Sequence, residues 1–192
     1  MLIRLATILI FIAGHCTAQQ FDLQLRTSYF IPQDGTFRST FQNGWEDFQI
    51  EASYDQCWEC VPWVNVSYYE QTGKSSCEKK YTRITSGSLT AGAKKYFCPW
   101  DCWKPYLGVG VGVDYKVFHD KASYVNKHLT KWCPTLILKS GLERDIGCNW
   151  FINCYLDYSY TQIFGKSCKG GIRQRSCDAG GLFAGVGIGM RI

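Results

Sequence analysis

The sequence predicts an all-β protein, an eight-stranded antiparallel up-and-down transmembrane β-barrel. Two patterns predict this fold: eight segments alternate apolar and polar residues with a period of two, and the connections between them alternate long and short. The composition agrees, since 46% of the 192 residues are hydrophobic and only 19% are charged. Such a chain is too hydrophobic to be disordered, and its glycines and prolines lack the period of collagen.

The N-terminal segment is typical of a cleaved secretory signal peptide. Arg4 supplies a positive charge, residues 5–13 form an apolar stretch too short to span a bilayer, and Cys16, Thr17 and Ala18 precede a predicted cleavage at Gln19. We therefore divide the chain into a signal peptide, residues 1–18, and an outer-membrane barrel domain, residues 19–192. Loss of Arg4 lowers the formal net charge from +5 to +4. This mild, scattered basicity does not indicate a nucleic-acid partner.

The first four predicted strands lie between residues 21 and 97. The first alternates over residues 21–31, the second over 48–54 and the third over 64–69. The fourth, residues 81–97, is the least regular. Its apolar residues change from even-numbered to odd-numbered positions between Ile84 and Leu89, which predicts a β-bulge near Gly87.

The last four predicted strands are more regular, and two of them are rich in glycine. In the fifth, residues 107–117, valines on one face oppose Gly108, Gly110 and Gly112 on the other. The sixth and seventh alternate over residues 136–143 and 152–160, and the eighth again sets apolar residues against glycines over 182–192. We expect the inward glycines to make room for long side chains, because eight strands enclose an interior only wide enough for side chains.

The connections favour a membrane barrel over a soluble one. The long ones follow strands one, three, five and seven, at about residues 32–44, 70–80, 119–131 and 164–180. The short ones follow strands two, four and six, at about residues 55–60, 98–104 and 145–149. Transmembrane barrels have long outer loops and short periplasmic turns, whereas a soluble up-and-down barrel has no reason for this alternation. Aromatic residues near the strand ends are candidates for interfacial girdles: Tyr29, Trp45, Tyr54, Trp63, Tyr68, Trp103, Tyr115, Trp132, Trp150 and Tyr158.

The polar faces carry equal numbers of acidic and basic residues. Because unpaired buried charge is costly, we expect these residues to pair inside a narrow lumen. The alternative is that they form the solvated face of an ordinary sheet. The predicted lumen network consists of Asp22, Glu51, Asp114, Glu143 and Asp157 with Arg26, Lys94, Lys116, Lys139 and Arg191.

The chain contains 11 cysteines, which argues against a reducing cytosol. The connections sort the ten of the mature chain into two sets. Cys77, Cys133, Cys168 and Cys177 fall in or beside the long loops, and Cys57, Cys60, Cys98, Cys102, Cys148 and Cys154 fall in or beside the short turns. We expect disulfides within each set, because a bridge needs Cα atoms within about 7 Å and the membrane separates the sets by roughly 25 Å. The pairing within a set is open.

Two groups of residues suggest a catalytic or metal-binding site. A redox-active pair is suggested by the spacing of Cys57 and Cys60. Together with Cys98 and Cys102, they also have the residue types of a four-thiolate zinc site. This motif fills a tight turn instead of opening a helix, which favours structural disulfides. His119, Asp120 and Ser123 cluster in the predicted loop at residues 119–131 and have the residue types of an acyltransferase or protease site, but no triad or metal-ligand spacing accompanies them. We therefore expect no enzyme, no catalytic residue, no metal site and no cofactor.

The chain resembles the small outer-membrane β-barrel proteins of Gram-negative bacteria, the class of the outer-membrane protein A transmembrane domain and the W- and X-type porin-like proteins. The matching features are the exported N-terminus, the first strand ending at residues 29–32, the strand from Tyr106 and the glycine-rich last strand. The stretch from Tyr124 to Glu143 resembles cysteine-rich barrels of chlamydia-like bacteria. Such barrels usually end in an aromatic residue, whereas this chain ends in Ile192.

The residues and the resemblance together predict an integral protein of the cell outer membrane of a Gram-negative bacterium, with a structural or surface-interaction role and disulfide-braced loops. Its expected partners are outer-membrane lipid and disulfide-linked envelope proteins, without nucleic acid, and the expected state is a monomer. A small porin-like passage for small or apolar solutes is the first alternative. A secreted, disulfide-rich soluble binding barrel is the second.

Overall fold

The structure is a computed structural model that describes residues 20–35, 38, 41, 44–55, 60–74, 81–97, 102–120, 128–163 and 177–192. The predicted signal peptide lies outside the described residues. Nine strands follow each other along the chain: β1 Gln20–Pro32, β2 Trp45–Asp55, β3 Val61–Lys74, β4 Tyr81–Tyr96, β5 Trp103–Asp120, β6 His128–Asp145, β7 Trp150–Ile163, β8 Cys177–Asp178 and β9 Gly181–Arg191. Within the described residues, no helix is long and apolar enough to cross a membrane.

Eight of these strands close a barrel in which every neighbouring pair is antiparallel. Strands β1 to β7 pair in order, β7 pairs with β9, and β9 pairs with β1. The two-residue strand β8 only extends the loop end of β7. Both ends of the barrel domain meet at the short-turn side, where Phe21 and Ile192 exchange two backbone hydrogen bonds. The predicted eight-stranded antiparallel up-and-down barrel is confirmed.

The register staggers the strands around the barrel. Following paired residues once around leads from Asp22 through Ser53, Trp63, Gly92, Gly110, Ile137, Ser159 and Gly181 to Pro32, ten residues further along β1. A stagger of this kind requires the strands to tilt, typically by 35–45° from the barrel axis. The tilt places residues that are distant in sequence at the same level of the lumen.

The strands on one side of the barrel are longer than the sequence pattern predicts. Strand β3 continues to Lys74, β5 continues to Asp120 and β6 begins at His128, so their loops shorten to residues 75–80 and 121–127. The pattern missed these ends because several of their outward residues are polar, among them Glu70, Thr72 and Thr130, whereas the prediction followed apolar alternation. The predicted bulge near Gly87 is wrong, since β4 keeps one register with both neighbours throughout. The apparent change of phase arises because Ile84 faces inward and is fully buried.

The exterior is a continuous apolar band. Outward residues such as Leu25, Ile50, Val111 and Leu138 are about half exposed. Between Glu46, Glu70 and Arg83 at the loop side and Lys95 and Arg144 at the turn side, the described outward positions hold no Asp, Glu, Lys or Arg. Exposed aromatic side chains border the band at Tyr29, Tyr68, Tyr115 and Trp132 on the loop side and at Trp150 on the turn side.

Aromatic side chains also close the lumen at its loop end. Trp45 and Trp63, which the sequence suggested as girdle residues, are instead buried inside the barrel. The ring of Phe30 lies 5.0 Å from that of Trp45, 5.6 Å from that of Tyr69 and 4.5 Å from that of Phe183, measured between centroids. We define the loop-end cluster as Phe30, Trp45, Tyr69, Phe183 and Ile84.

Candidate functional site

The middle of the lumen is an ion-pair layer centred on Glu51 of β2. Its Oε2 atom lies 2.7 Å from Nη1 of Arg26 and 2.5 Å from Nζ of Lys139, and its Oε1 atom lies 3.1 Å from Nζ of Lys94. All four side chains are buried, because each occupies an inward position of its strand. One carboxylate therefore joins β2 to β1, β4 and β6 across the barrel.

Two further carboxylates balance the three cations of this layer. Asp157 accepts a 2.7 Å hydrogen bond from Nη2 of Arg26 and lies 3.8 Å from Nζ of Lys139. Glu143 accepts a 3.4 Å hydrogen bond from Nζ of Lys94. Three acids and three bases thus share the layer, which satisfies the requirement that buried charges be paired.

Aromatic rings also contact the three cations of the layer. The guanidinium carbon of Arg26 lies 3.5 Å from the centroid of the Tyr155 ring, and Nζ of Lys139 lies 4.1 Å from that of Trp63. Nζ of Lys94 lies 5.3 Å from the rings of both Tyr96 and Tyr106. Cation–π contacts of this kind are stronger when water is excluded.

The remaining predicted lumen charges form two smaller groups. Towards the loop side, Nζ of Lys116 lies 3.2 Å from Oδ2 of Asp114. At the turn side, Nε of Arg191 lies 3.6 Å from Oδ1 of Asp22 and its Nη1 atom lies 2.6 Å from Oδ1 of Asp145. The structure therefore places all ten predicted residues in ion pairs.

Two partners at the turn side escaped the sequence reasoning. Asp145 also accepts a 2.9 Å hydrogen bond from Lys104. The prediction assigned Lys104 and Asp145 to turns, whereas they pair at the ends of β5 and β6. The alternation continues into both residues and could have signalled that they belong to strands.

Inward glycines provide the space for the large side chains of the lumen. A Cβ atom at Gly110 would lie 2.5 Å from the indole of Trp63, and one at Gly141 would lie 2.6 Å from the hydroxyl of Tyr106. The ring of Phe151 covers Gly189 in the same way. The expected role of the inward glycines is thus seen at each of these three positions.

A small cavity of about 20 Å³ borders the loop-end cluster, since Phe30, Tyr69 and Phe183 line it. Hydroxyl and amide side chains such as those of Asn65 and Ser86 line it as well. A volume of this size holds about one water molecule. Beside the cavity, the ion-pair layer crosses the lumen, since Glu51 contacts residues of β1, β4 and β6.

The structure distributes the cysteines less simply than the sequence predicted. Cys60 and Cys148 are exposed in the short turns, and Cys102 is exposed at the end of another. Cys154 is exposed on the outward face of β7. Of Cys177 the structure describes the backbone, in β8, and Cys57, Cys77, Cys98 and Cys168 lie outside the described residues.

One cysteine assignment is wrong. Cys133, predicted in or beside a long loop, is an inward residue of β6 that is only 2% exposed, because the strand begins five residues earlier than it. No disulfide forms at Cys60, Cys133, Cys148 or Cys154 in the structure.

The residues that suggested an acyltransferase or protease site are also placed differently from the sequence prediction. His119 and Asp120 are the last two residues of β5 and do not lie in a loop, and Ser123 lies outside the described residues. Among the described side chains, no group of three or more His, Cys, Asp or Glu residues is arranged to hold a metal ion.

Solved structures similar to this one are small outer-membrane barrels. Neisserial surface protein A matches with a TM-score of 0.63 and 14% identity, over 90% of this chain and 97% of its own. OprG from Pseudomonas aeruginosa matches with a TM-score of 0.57 and 16% identity, over 92% and 97%. Ail, the attachment invasion locus protein of Yersinia pestis, in complex with the heparin analogue sucrose octasulfate, matches with a TM-score of 0.51 and 15% identity, over 91% and 97%.

Sequence comparison adds no closer assignment, since no family model and no curated protein matches the chain. At these identities the similarity concerns the fold. The chain has the fold of the small eight-stranded outer-membrane β-barrels.

Proposed function

We propose that the chain is an integral outer-membrane protein of a Gram-negative bacterium with a structural or surface-interaction role. The observation that supports this most is the apolar, charge-free exterior band around a lumen whose charges are paired. A soluble barrel would show the reverse polarity, with an apolar interior and charges outside. The ion-pair layer across the lumen favours this role over the porin-like alternative.

Membrane fractionation with heat-modifiable migration on SDS gels tests the proposal. We expect the protein to require detergent for extraction and to show different mobilities before and after boiling, because a hydrogen-bonded barrel resists SDS until it is heated. Extraction in buffer alone, without a mobility shift, would contradict the proposal and support the secreted soluble barrel.

We further propose that the surface interaction is with a sulfated polysaccharide. The four loop-side connections (33–44, 75–80, 121–127 and 164–176) contain nine Lys or Arg and two Asp or Glu, whereas the three turn-side connections (56–60, 97–102 and 146–149) contain two Asp or Glu and no Lys or Arg. Basic connections of this kind attract polyanions. The complex of Ail with a heparin analogue adds a precedent on the same fold.

Retention on immobilised heparin measures this interaction. We expect the folded protein in vesicles to bind heparin and to elute with salt, since exposed charges are screened. The variant Arg173→Ala with Arg175→Ala should elute at lower salt, while Lys95→Ala, an exposed change on the turn side, should elute with the wild type. Equal retention on a neutral polysaccharide matrix would refute a charge-based interaction.

The exposed thiols of the turn side support a second kind of partner. Cys60 and Cys148 are exposed and form no disulfide within the chain. We propose that they form disulfides with neighbouring envelope proteins by thiol–disulfide exchange with a partner disulfide, in which the released partner thiol takes the proton. Disulfide bracing of the outer loops is likewise proposed for Cys77, Cys168 and Cys177.

Non-reducing gels of rapidly alkylated cell envelopes test the cross-links. We expect high-mass bands that collapse to one chain when a reductant is added and that disappear in the double variant Cys60→Ser with Cys148→Ser. The variant Cys133→Ser is the matched control, because that side chain is buried inside the lumen. A single-chain band without reductant would show that no such cross-links form.

A further inference from the structure

One arginine lies on the lipid-facing side of the barrel at the turn-side border of the apolar band. Arg144 is the last outward residue of β6, and its side chain is exposed. Its neighbours along the strand, Glu143 and Asp145, belong to the inward face and pair with lumen cations. Within the described part of the chain, Arg144 itself forms no ion pair.

The outward surface around Arg144 is apolar. Leu142 precedes it on the same face of β6 and Ile146 follows it towards the turn side, and both are about half exposed. Ile152 of β7 lies directly opposite Arg144, and the exposed Trp150 lies two residues nearer the turn side on β7. The apolar surface therefore continues past Arg144, so the guanidinium lies within the surface that faces lipid.

An aromatic ring holds the guanidinium in place. Trp103 of β5 is directly opposite Arg144 in the ladder between β5 and β6, so the two side chains share the outward face. The guanidinium carbon lies 5.4 Å from the centroid of the Trp103 ring. An arginine that packs on an aromatic ring keeps N–H donors at its planar edge, and these match two oxygen atoms of a phosphate group.

A cation on a lipid-facing surface needs an anion, because an unpaired charge is costly to transfer from water into an apolar environment. Lipid phosphate groups lie at the headgroup level, where interfacial tryptophans also lie. We propose that Arg144, positioned by Trp103, binds the phosphate group of an anionic phospholipid in the turn-side leaflet. A zwitterionic phospholipid fits less well, since its ammonium group repels the guanidinium. This inference rests on the proposed membrane insertion and adds a lipid-binding site to it.

Native mass spectrometry of the folded barrel, released from detergent micelles with added lipid, measures the binding. Phosphatidylglycerol and phosphatidylcholine with identical acyl chains are compared. We expect the wild type to bind phosphatidylglycerol about fivefold more tightly, a ratio that corresponds to about 1 kcal/mol for one basic residue at an anionic membrane surface. Arg144→Gln should bind the two lipids equally, and Arg144→Lys, which keeps the charge, should retain part of the preference.

The matched control is the double variant Glu70→Gln with Arg83→Gln, which removes an outward ion pair at the loop-side border without changing the net charge. It should keep the wild-type preference. Added salt should lower the preference of the wild type, because exposed charges are screened, and this measurement does not depend on the folding of variants. Equal binding of both lipids by the wild type, or an unchanged preference in Arg144→Gln, would overturn the inference. Neither result bears on membrane insertion, which fractionation tests separately.

Discussion

Replacement Glu51→Gln is expected to lower the free energy of unfolding of the barrel by about 3–5 kcal/mol, the range typical for removing one partner of a buried ion pair. Glu51 contacts Arg26, Lys94 and Lys139, and all of these side chains are buried. Glutamine keeps the shape but removes the charge. Three buried cations would then share only Asp157 and Glu143.

Equilibrium unfolding in urea measures this loss of unfolding free energy. The barrel is refolded into lipid vesicles, and its unfolding is followed by tryptophan fluorescence. The matched control is Glu70→Gln, which breaks an exposed ion pair with Arg83 at the loop side. Exposed pairs contribute little to stability, so the control should unfold with the wild type. Equal unfolding curves for Glu51→Gln and the wild type would show that the layer does not stabilise the fold.

Replacement Gly110→Ala is expected to destabilise the barrel by about 1–3 kcal/mol, or to prevent folding, because overpacking of a filled interior forces side chains and backbone to shift. The added Cβ would lie 2.5 Å from two carbon atoms of the Trp63 ring and 2.6 Å from the backbone oxygen of Ala91. Trp63 has little freedom to move, since Lys139 lies over its ring. Any displacement of the ring also disturbs the ion-pair layer.

The matched control is Gly87→Ala, another strand glycine whose added Cβ would meet only the backbone oxygen of Ser67, at 3.9 Å. The fraction of folded protein on unboiled SDS gels, followed by urea unfolding, compares the two variants. Gly87→Ala should fold as the wild type does. Similar behaviour of both variants would show that the space over Gly110 is not required.

Much of the lumen could be predicted because alternation assigns each strand residue to one face. Arg26, Glu51 and Asp157 were placed inside from this pattern alone, and the structure buries all three. Alternation fails where the faces do not differ in polarity. Trp45, Trp63 and Ile84 are apolar yet inward, and a period of two cannot distinguish an apolar lumen residue from an outward one.

The cysteines show a second limit of sequence reasoning. Loop boundaries drawn from apolar alternation placed Cys133 near the outer surface, whereas the extension of β6 to His128 places it inside the lumen. The first residues of β6 mix polar and apolar side chains without regular alternation, so the period does not mark where the strand begins. Hydrogen bonding between β5 and β6 defines that beginning instead.

The sequence by itself determined the fold class, the apolar exterior and the set of charges that enter the lumen, because each depends only on which residues alternate. Only the tertiary structure decided which charges meet. Glu51 contacts Lys139 although 88 residues separate them, because closure of the barrel brings β2 and β6 to opposite sides of one narrow lumen. The ten-residue stagger then sets their common level, and no local pattern in the chain encodes that stagger.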